Sequence, residues 1–568
     1  MEPLLGSLDW TVVGLYFAVV FGVAIVATLR ERRGGAEDSA DYFLAGRNVG
    51  WFVIGASLFS SNIGSEHLVG LAGSGATSGV APGQFEVLAS LILLLLGWVF
   101  VPFYLTSGVF TMPEFLERRY SSGARWYLAT VSILAYVLTK ISVTIFAGAV
   151  VFSAIGVPFW TGALIVVGVT GAYTVFGGLR AVLYTDLLQT FILIGGAAAV
   201  TFAGLSAVGG WDAMVEAVGP GFLDMWKPAT DPDFPWTGIL FGAPILGIWY
   251  WCTDQFIVQR TLSAKSIDDA RRGTIMAGFL KLLPLFIFVV PGMLAAALVA
   301  QGRLELADPN EALPTLVAAL LPVGLRGLVV AGLLAALMSS LSSVFNSCST
   351  LITWDVYKKL NPTASERRLV WVGRLSTVAL TVLGLAWIPF VEAAEGGLYV
   401  YIQSVQGYIS PPIAAVFLLG LFWSRLNAQG AMASLLTGLV LGVARLSMEA
   451  AGADVGFFTG LNFLHFAVVL FLVCAAILVA VSLATDPPPM SKVAGLTFAT
   501  ASEPAAGAPD GPTQRVAVAG GETARVTTEP IPAEVVEMEG SDPTWRRVDL
   551  WLTVLLVLCV CAVWFFFS

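Results

Sequence analysis

Long apolar runs separated by short polar segments follow one another along nearly the whole chain. A transmembrane helix needs roughly 20 apolar residues to cross a hydrocarbon core about 30 Å thick. We count about fourteen runs of that length, which predicts a polytopic membrane protein made of helices. The runs lie near residues 8–29, 48–75, 85–108, 126–155, 159–178, 182–208, 237–259, 274–300, 325–356, 368–391, 397–423, 428–449, 462–484 and 548–567.

The composition agrees with a lipid bilayer as the main surroundings of the chain. Of its 568 residues, 57% are hydrophobic and 12% charged, and the mean hydropathy is +0.84. Soluble proteins are nearer half apolar and a quarter charged. The first run leads directly into "LRERRGG" without a cleavage pattern, so we expect a retained helix rather than a signal peptide. The five cysteines form no CxxC pair, which favours buried apolar thiols over a metal site or disulfides.

The charges in the loops predict the orientation. Alternate loops such as "LRERR", "ERRYSSGAR" and "YKKLNPTASERR" carry nearly all the Lys and Arg, while the opposite loops, such as "RLELADPNEALP", are mainly acidic. Because basic loops stay in the cytoplasm, we expect a cell membrane protein, in the plasma or inner membrane, with both termini outside. The net charge of −9 gives no indication of nucleic-acid binding.

Two of the predicted spans are interrupted by polar and small residues. The second span contains "SSNIGSEH", and "GAPILGIWYWCTDQ" lies about five spans later, with Gly242, Gly247 and Asp254 among aromatic residues. Unwound backbone inside a membrane is tolerated where it lines a cavity, and transporters bind ions and substrates at such breaks. The spacing favours an inverted five-plus-five repeat, although any single Gly is explained equally well by close helix packing.

Ionisable residues inside or at the edges of the spans are candidate site residues. Each costs at least about 2.5 to 3.5 kcal/mol on insertion scales. They are Glu66, His67, Glu86, Asp186, Asp254 and Lys281. Lys140 is equally plausible as a snorkelling or a paired structural lysine. A helix-end charge facing water is the simplest interpretation of Glu66.

A later span carries a hydroxyl-rich face. Residues 339, 342, 343 and 347 are serines spaced three and four apart, so they share one side of a helix, and Ser340 is adjacent. A single membrane serine usually bonds to a local carbonyl or allows tight packing. Five of them, facing broken helices, would instead supply neutral oxygen ligands to a monovalent cation such as sodium.

These residues resemble the solute:sodium symporter family, and within it the sodium/glucose cotransporter branch. The stretches that carry the resemblance, from about residue 42 to 430, include "SSNIGSEHLVGLAGSGATSG", "YTVFGGLRAVLYTDLLQT", "WYWCTDQFIVQRTLSAK" and "LMSSLSSVFNSCSTL". The resemblance implies an all-α leucine-transporter-like fold with a five-plus-five core and flanking helices, fourteen in all, which agrees with the independent span count.

We therefore predict the following organisation of the chain. Residues 1–47 form an N-terminal flanking helix and cytoplasmic loop, 48–208 the first inverted repeat, 209–236 an extracellular loop, 237–423 the second repeat, 424–484 two additional helices, 485–545 a linker and 546–568 the C-terminal helix. The linker is rich in Pro, Ala and Gly without periodicity, which is typical of a disordered cytoplasmic tether.

The resemblance also implies a main ion site for the co-transported sodium, and it leaves one or two sodium ions per cycle open. The main site would use backbone carbonyls of the first break together with carbonyl and hydroxyl groups of the serine-rich helix. Its residues would be Ser60, Ile63, Ala336, Ser339 and Ser340. Family members that couple a second sodium use an acid and serines that match Asp186, Ser339, Ser342 and Ser343.

A sugar site is implied next to the first break. Its polar residues would be Asn62, His67, Glu86, Lys281 and Gln403, above a floor of Tyr250 and Trp251, and Tyr250 would also serve as the inner gate. Leu71, Phe85 and Tyr399 match the outer gate. Such groups suit a pyranose, whose hydroxyls donate and accept and whose apolar face rests on an aromatic ring.

Departures from the family pattern leave the solute open. Gly247, Gln406, Val400 and Thr144 replace polar or acidic residues of the glucose-transporting relatives in or beside the pocket. A symporter for myo-inositol, sialic acid or a carboxylate would share the fold, and a sugar-gated sensor or ion leak would share the pocket without coupled transport. No nucleophile, base and orienting group come together in the sequence, so we expect no enzyme.

Overall fold

The computed structural model describes residues 5–32, 39–154, 156–306, 308–392, 398–453, 455–502 and 543–568. Within these ranges the backbone is helical apart from turns and two isolated β-bridges. The helices of the first half are α1 Ser7–Arg32, α2 Ser39–Leu44, α3 Trp51–Asn62, α4 Ala72–Ser78, α5 Gln84–Leu95, α6 Val101–Ser107, α7 Met112–Arg119, α8 Ser122–Ala135, α9 Ser142–Ala154, α10 Phe159–Val208, α11 Trp211–Val218, α12 Trp236–Phe241 and α13 Ala243–Gly247.

The second half continues in the same manner. Its helices are α14 Gln255–Leu262, α15 Ile267–Leu280, α16 Val290–Ala300, α17 Ala312–Leu320, α18 Leu325–Thr350, α19 Lys358–Leu360, α20 Glu366–Glu392, α21 Leu398–Phe422, α22 Ala428–Ala450, α23 Phe457–Gly460, α24 Phe463–Ala484 and α25 Pro543–Phe566. Six π-helical turns join or extend these helices, at Glu66–Leu71, Leu96–Phe100, Tyr136–Ile141, Ile248–Thr253, Leu285–Val289 and Leu351–Tyr357.

Ten helical stretches among the described residues are long and apolar enough to cross a membrane, and two shorter apolar helices and the two interrupted spans accompany them. The all-helical membrane architecture is confirmed, and the total of fourteen spans stays a prediction. The predicted spans 159–178 and 182–208 are one continuous helix, α10, of 50 residues. Such a helix is about 75 Å long, more than twice the hydrocarbon core. The connection that the sequence predicts between the two spans, residues 179–181, is therefore helical.

Both predicted interruptions are present in the backbone. Helix α3 ends at Asn62, and the next residue, Ile63, has the extended angles φ −74° and ψ 105° before the chain re-enters a helical turn. In the other interrupted span the break falls at Asp254, with φ −77° and ψ 127°, rather than at Gly242 or Gly247. The Asp254 carboxylate accepts from the Phe256 amide at 3.3 Å and so caps α14.

Close helix packing holds the first broken helix in place. A Cβ added to Gly55 of α3 would lie 2.9 Å from the Gly273 carbonyl oxygen of α15, and one added to Gly273 would lie 2.7 Å from Ile54. The two backbones therefore approach as closely as only glycine allows. The remaining faces of α3 pack against α10 and α18, which brings the hydroxyl-rich helix next to the break.

A charged cluster joins the basic loop after α6 to the end of the serine-rich span. Thr111 and Arg125 both donate to the buried Asp355 carboxylate, at 2.9 and 2.7 Å. Arg125 also donates to Glu117 at 2.7 Å, and Lys359 donates to the same carboxylate. Burial alone would raise the pKa of Glu117, but the hydrogen bonds from Lys359 and Arg125 outweigh it and hold that pKa below its usual value.

The first part of the predicted linker is folded. Residues 486–502 form turns in which Val493 and Leu496 are buried. Phe498 packs between Phe103 of α6 and Phe422 of α21, with ring centroids 4.9 and 4.8 Å apart. The run "VAGLTF" is apolar enough to dock on the ends of these helices, which explains the difference from an unstructured tether over these residues. Residues 503–542 of the linker lie outside the described part of the chain.

Candidate functional site

The first break brings the serine-rich helix against the unwound backbone. Ser60 Oγ and Ser339 Oγ are 3.3 Å apart, and a Cβ added to Gly64 would lie 2.8 Å from Ser340 Oγ. Ala336 is buried one turn earlier on α18. Because Ile63 leaves the helical conformation, carbonyls at this end of α3 lack the partners that a continuing helix would supply. The residues of the predicted main sodium site therefore come from two adjoining elements.

A buried carboxylate lies directly behind this contact. Asp186 of α10 accepts hydrogen bonds from Ser57 at 2.6 Å, from Ser61 at 2.9 Å and from Ser339. The Arg260 Nη2 atom is 4.0 Å from the carboxylate, and its Nε donates to Ser57 and Ser61 at 3.1 and 2.8 Å. All five side chains are buried. Serine hydroxyls therefore link the Asp186 carboxylate to the Arg260 guanidinium inside the helix bundle.

The predicted second ion site differs in detail from this cluster. Ser343 Oγ donates to Ser61 Oγ at 3.1 Å, whereas Ser342 Oγ donates to the Ser339 carbonyl at 2.9 Å, a bond within its own helix. The sequence reasoning missed Ser57, Ser61 and Arg260. Ser57 and Ser61 stand one helical turn apart in "SLFSSNI", a spacing that indicates a shared polar face. Arg260 directly follows the predicted span 237–259, so the sequence indicates a loop residue there.

Four of the predicted solute ligands meet in one hydrogen-bonded cluster around Lys281. The ammonium group donates to Asn62 Oδ1 and to Glu86, and it lies 3.3 Å from His67 Nε2. His67 Nε2 is in turn 3.1 Å from Glu86 Oε1. Each residue occupies a helix end or a π-turn, since Asn62 closes α3, Glu86 begins α5 and Lys281 follows α15. All four side chains are buried.

Aromatic rings and an amide form the walls around this cluster. The Asn62 amide donates to the Tyr250 hydroxyl at 2.8 Å, and the Trp251 ring centroid is 5.4 Å from Lys281 Nζ. On the opposite wall, Gln403 donates to the Tyr399 hydroxyl at 3.3 Å. The cavity has about 50 Å³ of open space and is lined by the following predicted residues: Asn62, His67, Phe85, Glu86, Tyr250, Trp251, Tyr399 and Gln403.

Two of the predicted site residues, Lys281 and Leu71, are not part of the cavity lining. Lys281 reaches it through its hydrogen bonds, and Leu71 is buried in the apolar core and does not line it. Phe85 and Tyr399, two of the residues predicted for the outer gate, contact each other edge to face with ring centroids 6.0 Å apart. Gly247 and Gln406, where the sequence departs from the family pattern, both line the cavity.

Glu66 and Lys140 form a second charged pair at the cavity. Lys140 Nζ is 3.9 Å from Glu66 Oε1 and lies 4.2 Å from the Tyr250 ring centroid. Glu66 begins the π-helical turn after the first break and lines the cavity, and its side chain is 17% exposed. Lys140 is a paired and nearly buried lysine.

A larger cavity of about 500 Å³ lies beside α21, between the 229–232 loop, α22 and the start of α24. Its lining includes Ser404 and Tyr408, on a different side of α21 from Gln403. The Arg445 guanidinium on this wall donates to Glu449 and to the carbonyls of Phe458, Thr459 and Leu461. These bonds already occupy the guanidinium, whereas the smaller cavity lies where the two broken helices meet and is lined by the residues predicted for the solute site.

Two broken helices that enclose a buried polar cluster define a secondary transporter. The sequence profile described as the sodium:solute symporter family matches residues 42–438. The chain belongs to the sodium:solute symporter family, which confirms the resemblance seen in the sequence. It is a multi-pass membrane protein that couples solute movement to sodium, and the relatives it matches are transporters rather than enzymes.

Several relatives are similar over most of their length. Sodium/glucose cotransporter 1 of Sus scrofa is 42% identical over 536 residues, which cover 86% of this chain and 80% of the relative. The sodium/myo-inositol cotransporter of Canis lupus familiaris is 41% identical over 550 residues, 88% of this chain and 76% of the relative. The solved structure of a sodium-coupled sialic acid symporter in a substrate-bound outward-open state superposes with a TM-score of 0.72 at 22% identity, over 85% of this chain and 99% of that one. That likeness confirms the leucine-transporter-like fold.

Proposed function

We propose that this symporter carries a neutral sugar with a glucose- or galactose-like ring into the cell. The observation that supports the proposal is the pairing of Lys281 with Glu86 beside Trp251. A pyranose hydroxyl both donates and accepts, so it can bond to the ammonium and to the carboxylate at once. The indole and the Tyr250 ring offer the apolar surface on which the ring face rests.

The charge balance of the pocket argues for a neutral solute. A carboxylate substrate needs an unpaired cation, and in the described part of the chain Lys281 is bonded to Glu86 while Lys140 lies beside Glu66. A substrate carboxylate near Lys281 would stand against Glu86, and like charges in a buried site repel strongly. Sialic acid and simple carboxylates are therefore weaker candidates than sugars.

A cyclic polyol is the second candidate. The sodium/myo-inositol cotransporter is nearly as similar to this chain as the glucose carrier is. Gly247 and Gln406 line the cavity at positions where the sequence departs from the glucose carriers, and a ring of six hydroxyls would use the same paired charges. Both solutes would use the same contacts, so the measurement that distinguishes them is which one competes more strongly with labelled glucose for uptake.

Sodium binding at the first break would assemble the solute pocket. The proposed ligands Ser60 and Ile63 flank Asn62, whose amide bonds to both Tyr250 and Lys281. An ion held by the carbonyls of the break and by Ser339 and Ser340 would therefore steady the residue that faces the solute. Asp186, with its hydroxyl partners, is the candidate for a second ion.

The coupling energy suits uptake against a gradient. A potential of about 100 mV contributes about 2.3 kcal/mol per sodium, and a tenfold sodium ratio adds about 1.4 kcal/mol. One ion can then concentrate a neutral solute several hundredfold, and two ions would roughly square that limit.

The test is uptake by the purified protein in proteoliposomes. We expect labelled glucose to accumulate with an inward sodium gradient, and we expect unlabelled galactose or myo-inositol to compete better than sialic acid or acetate. Competition by the carboxylates alone would refute the neutral-sugar proposal. Sugar-evoked current without accumulation would instead indicate a sugar-gated sensor or ion leak.

A further inference from the structure

The carboxyl-terminal end of α25 meets the start of α5, which carries two residues of the solute site. Trp564 Nε1 donates to Gln84 Oε1 at 2.8 Å. Gln84 is fully buried and directly precedes Phe85 and Glu86 in the first turn of α5. A buried amide that loses its partner is costly, so this single bond ties the C-terminal helix to the turn that holds the gate and the pocket carboxylate.

The same contact continues into the 220–226 loop. Gln84 Nε2 donates to the Met225 carbonyl at 3.3 Å, and the Met225 amide donates to the Phe567 carbonyl at 3.0 Å. The Trp226 and Trp564 ring centroids are 5.6 Å apart. Each of the three segments, the end of α25, the loop and the start of α5, therefore contacts the other two. We name the contacts among Trp564, Gln84, Met225 and Phe567 the C-terminal latch.

The loop also covers the connection that leads into α5. The Val80 amide donates to the Phe222 carbonyl at 2.9 Å. Gly79 has φ +71°, and a Cβ at this position would lie 2.1 Å from the Phe222 carbonyl oxygen. The loop backbone therefore lies directly on residues 79–80, and no residue with a Cβ would fit at position 79.

We infer that Trp564 is a positioning residue for the solute site: through Gln84 it fixes the first turn of α5, and so sets the position of the outer-gate ring of Phe85 and of the Glu86 carboxylate. The inference rests on the proposed function of those two residues. Most other side chains of α25 are exposed on the protein surface, among them Trp551, Leu555 and Leu558. Its buried polar contacts are therefore concentrated at few points, and the one at Trp564 adjoins the solute pocket.

The experiment compares Trp564→Phe, which keeps a ring against Trp226 but removes the N–H donor, with Trp551→Phe. Trp551 lies on the same helix with 73% of its surface exposed, so it is a matched control. We expect Trp564→Phe to raise the KM for the sugar about fivefold to tenfold, as loss of one buried hydrogen bond would. The maximal rate and the sodium concentration for half-maximal uptake should stay within about twofold of the control.

A double-mutant cycle separates positioning from general destabilisation. Gln84→Met removes the other partner, and we expect the double variant Trp564→Phe/Gln84→Met to have a KM no higher than the worse single variant, because both changes remove the same bond. Additive effects on KM would overturn the coupling. So would a KM for Trp564→Phe equal to that of the Trp551→Phe control.

Amide hydrogen exchange reports on the latch without reference to any solute. In sodium buffer, residues 80–86 should exchange about fivefold faster in Trp564→Phe than in Trp551→Phe. Equal exchange would overturn the latch. A wild-type protein that accumulates no sugar would refute the proposed function, and the exchange comparison would still decide whether Trp564 holds the start of α5.

Discussion

Replacing Ser339 with alanine tests the ion site most directly. Its hydroxyl donates to the buried Asp186 carboxylate and lies 3.3 Å from Ser60 Oγ. The change removes a proposed sodium ligand and leaves Asp186 with one hydrogen bond fewer, while the helix backbone is unaltered. We therefore expect Ser339→Ala to weaken sodium binding more than it weakens folding.

The size of the effect on sodium affinity follows from the charge of the ion that the Ser339 hydroxyl would bind, and we take the contact to be as strong as a hydrogen bond to a charged group. A hydrogen bond to a charged group contributes about 1.5 to 3 kcal/mol, and about 1.4 kcal/mol corresponds to a tenfold change in affinity. The sodium concentration for half-maximal uptake should rise roughly ten- to hundredfold. At saturating sodium the uptake rate should recover, since the solute ligands are untouched.

The assay is a sodium titration of sugar uptake in proteoliposomes at fixed membrane potential. Ser349→Ala is the matched control, because Ser349 is buried on the same helix and donates to the Asn346 carbonyl at 2.9 Å. Ser342→Ala, whose hydroxyl bonds within the helix, should resemble this control more than Ser339→Ala. A wild-type sodium response in Ser339→Ala, or a loss of uptake that saturating sodium does not restore, would refute the reasoning.

Three further predictions concern other parts of the molecule. Lys281→Met should abolish uptake and lower the melting temperature, because it removes the ammonium partner of the buried Glu86 carboxylate and leaves it only the contact with His67. Adding Glu86→Gln should restore the melting temperature but not uptake. Trp251→Ala should raise the sugar KM about tenfold and Trp251→Phe by less, and an unchanged KM in Trp251→Ala would remove the indole from the solute site. Glu117→Gln should lower the melting temperature at pH 7. Because the Glu117 pKa is depressed in the folded protein, the stabilisation by this carboxylate is lost as the pH falls through the folded-state pKa, so the difference in melting temperature between wild type and variant should narrow below about pH 4. A difference in melting temperature that stays constant with pH would contradict this prediction.

The membrane architecture and the first break could be predicted because their signals are local. Apolar length alone identifies spans, and "SSNIGSEH" places polar and small residues together where the helix ends at Asn62. The second break was harder to position. Gly242, Gly247 and Asp254 all suggested it, and only Asp254 leaves the helix, because its side chain caps the helix that follows.

The contacts of the site required the tertiary structure. Arg260 follows an apolar stretch and precedes a basic loop, so its charge suggested the cytoplasm, although it lies buried beside Asp186. Phe498 likewise stands in a segment whose Pro, Ala and Gly content indicated disorder, yet it docks between two distant helix ends. The locations of Arg260 and Phe498 depend on residues far away in the sequence, and local composition does not identify those residues.

The mutual bonding of Asn62, His67, Glu86 and Lys281 has a consequence for turnover. At the proposed solute site, an entering solute would exchange existing hydrogen bonds for new ones, so its net binding free energy would be a small difference between two bonded states. On its departure the four groups would bond to one another again instead of standing unsatisfied in a buried site. Such a site would discriminate by the pattern of hydroxyls and still release the solute quickly, because departure would leave no buried charge without a partner.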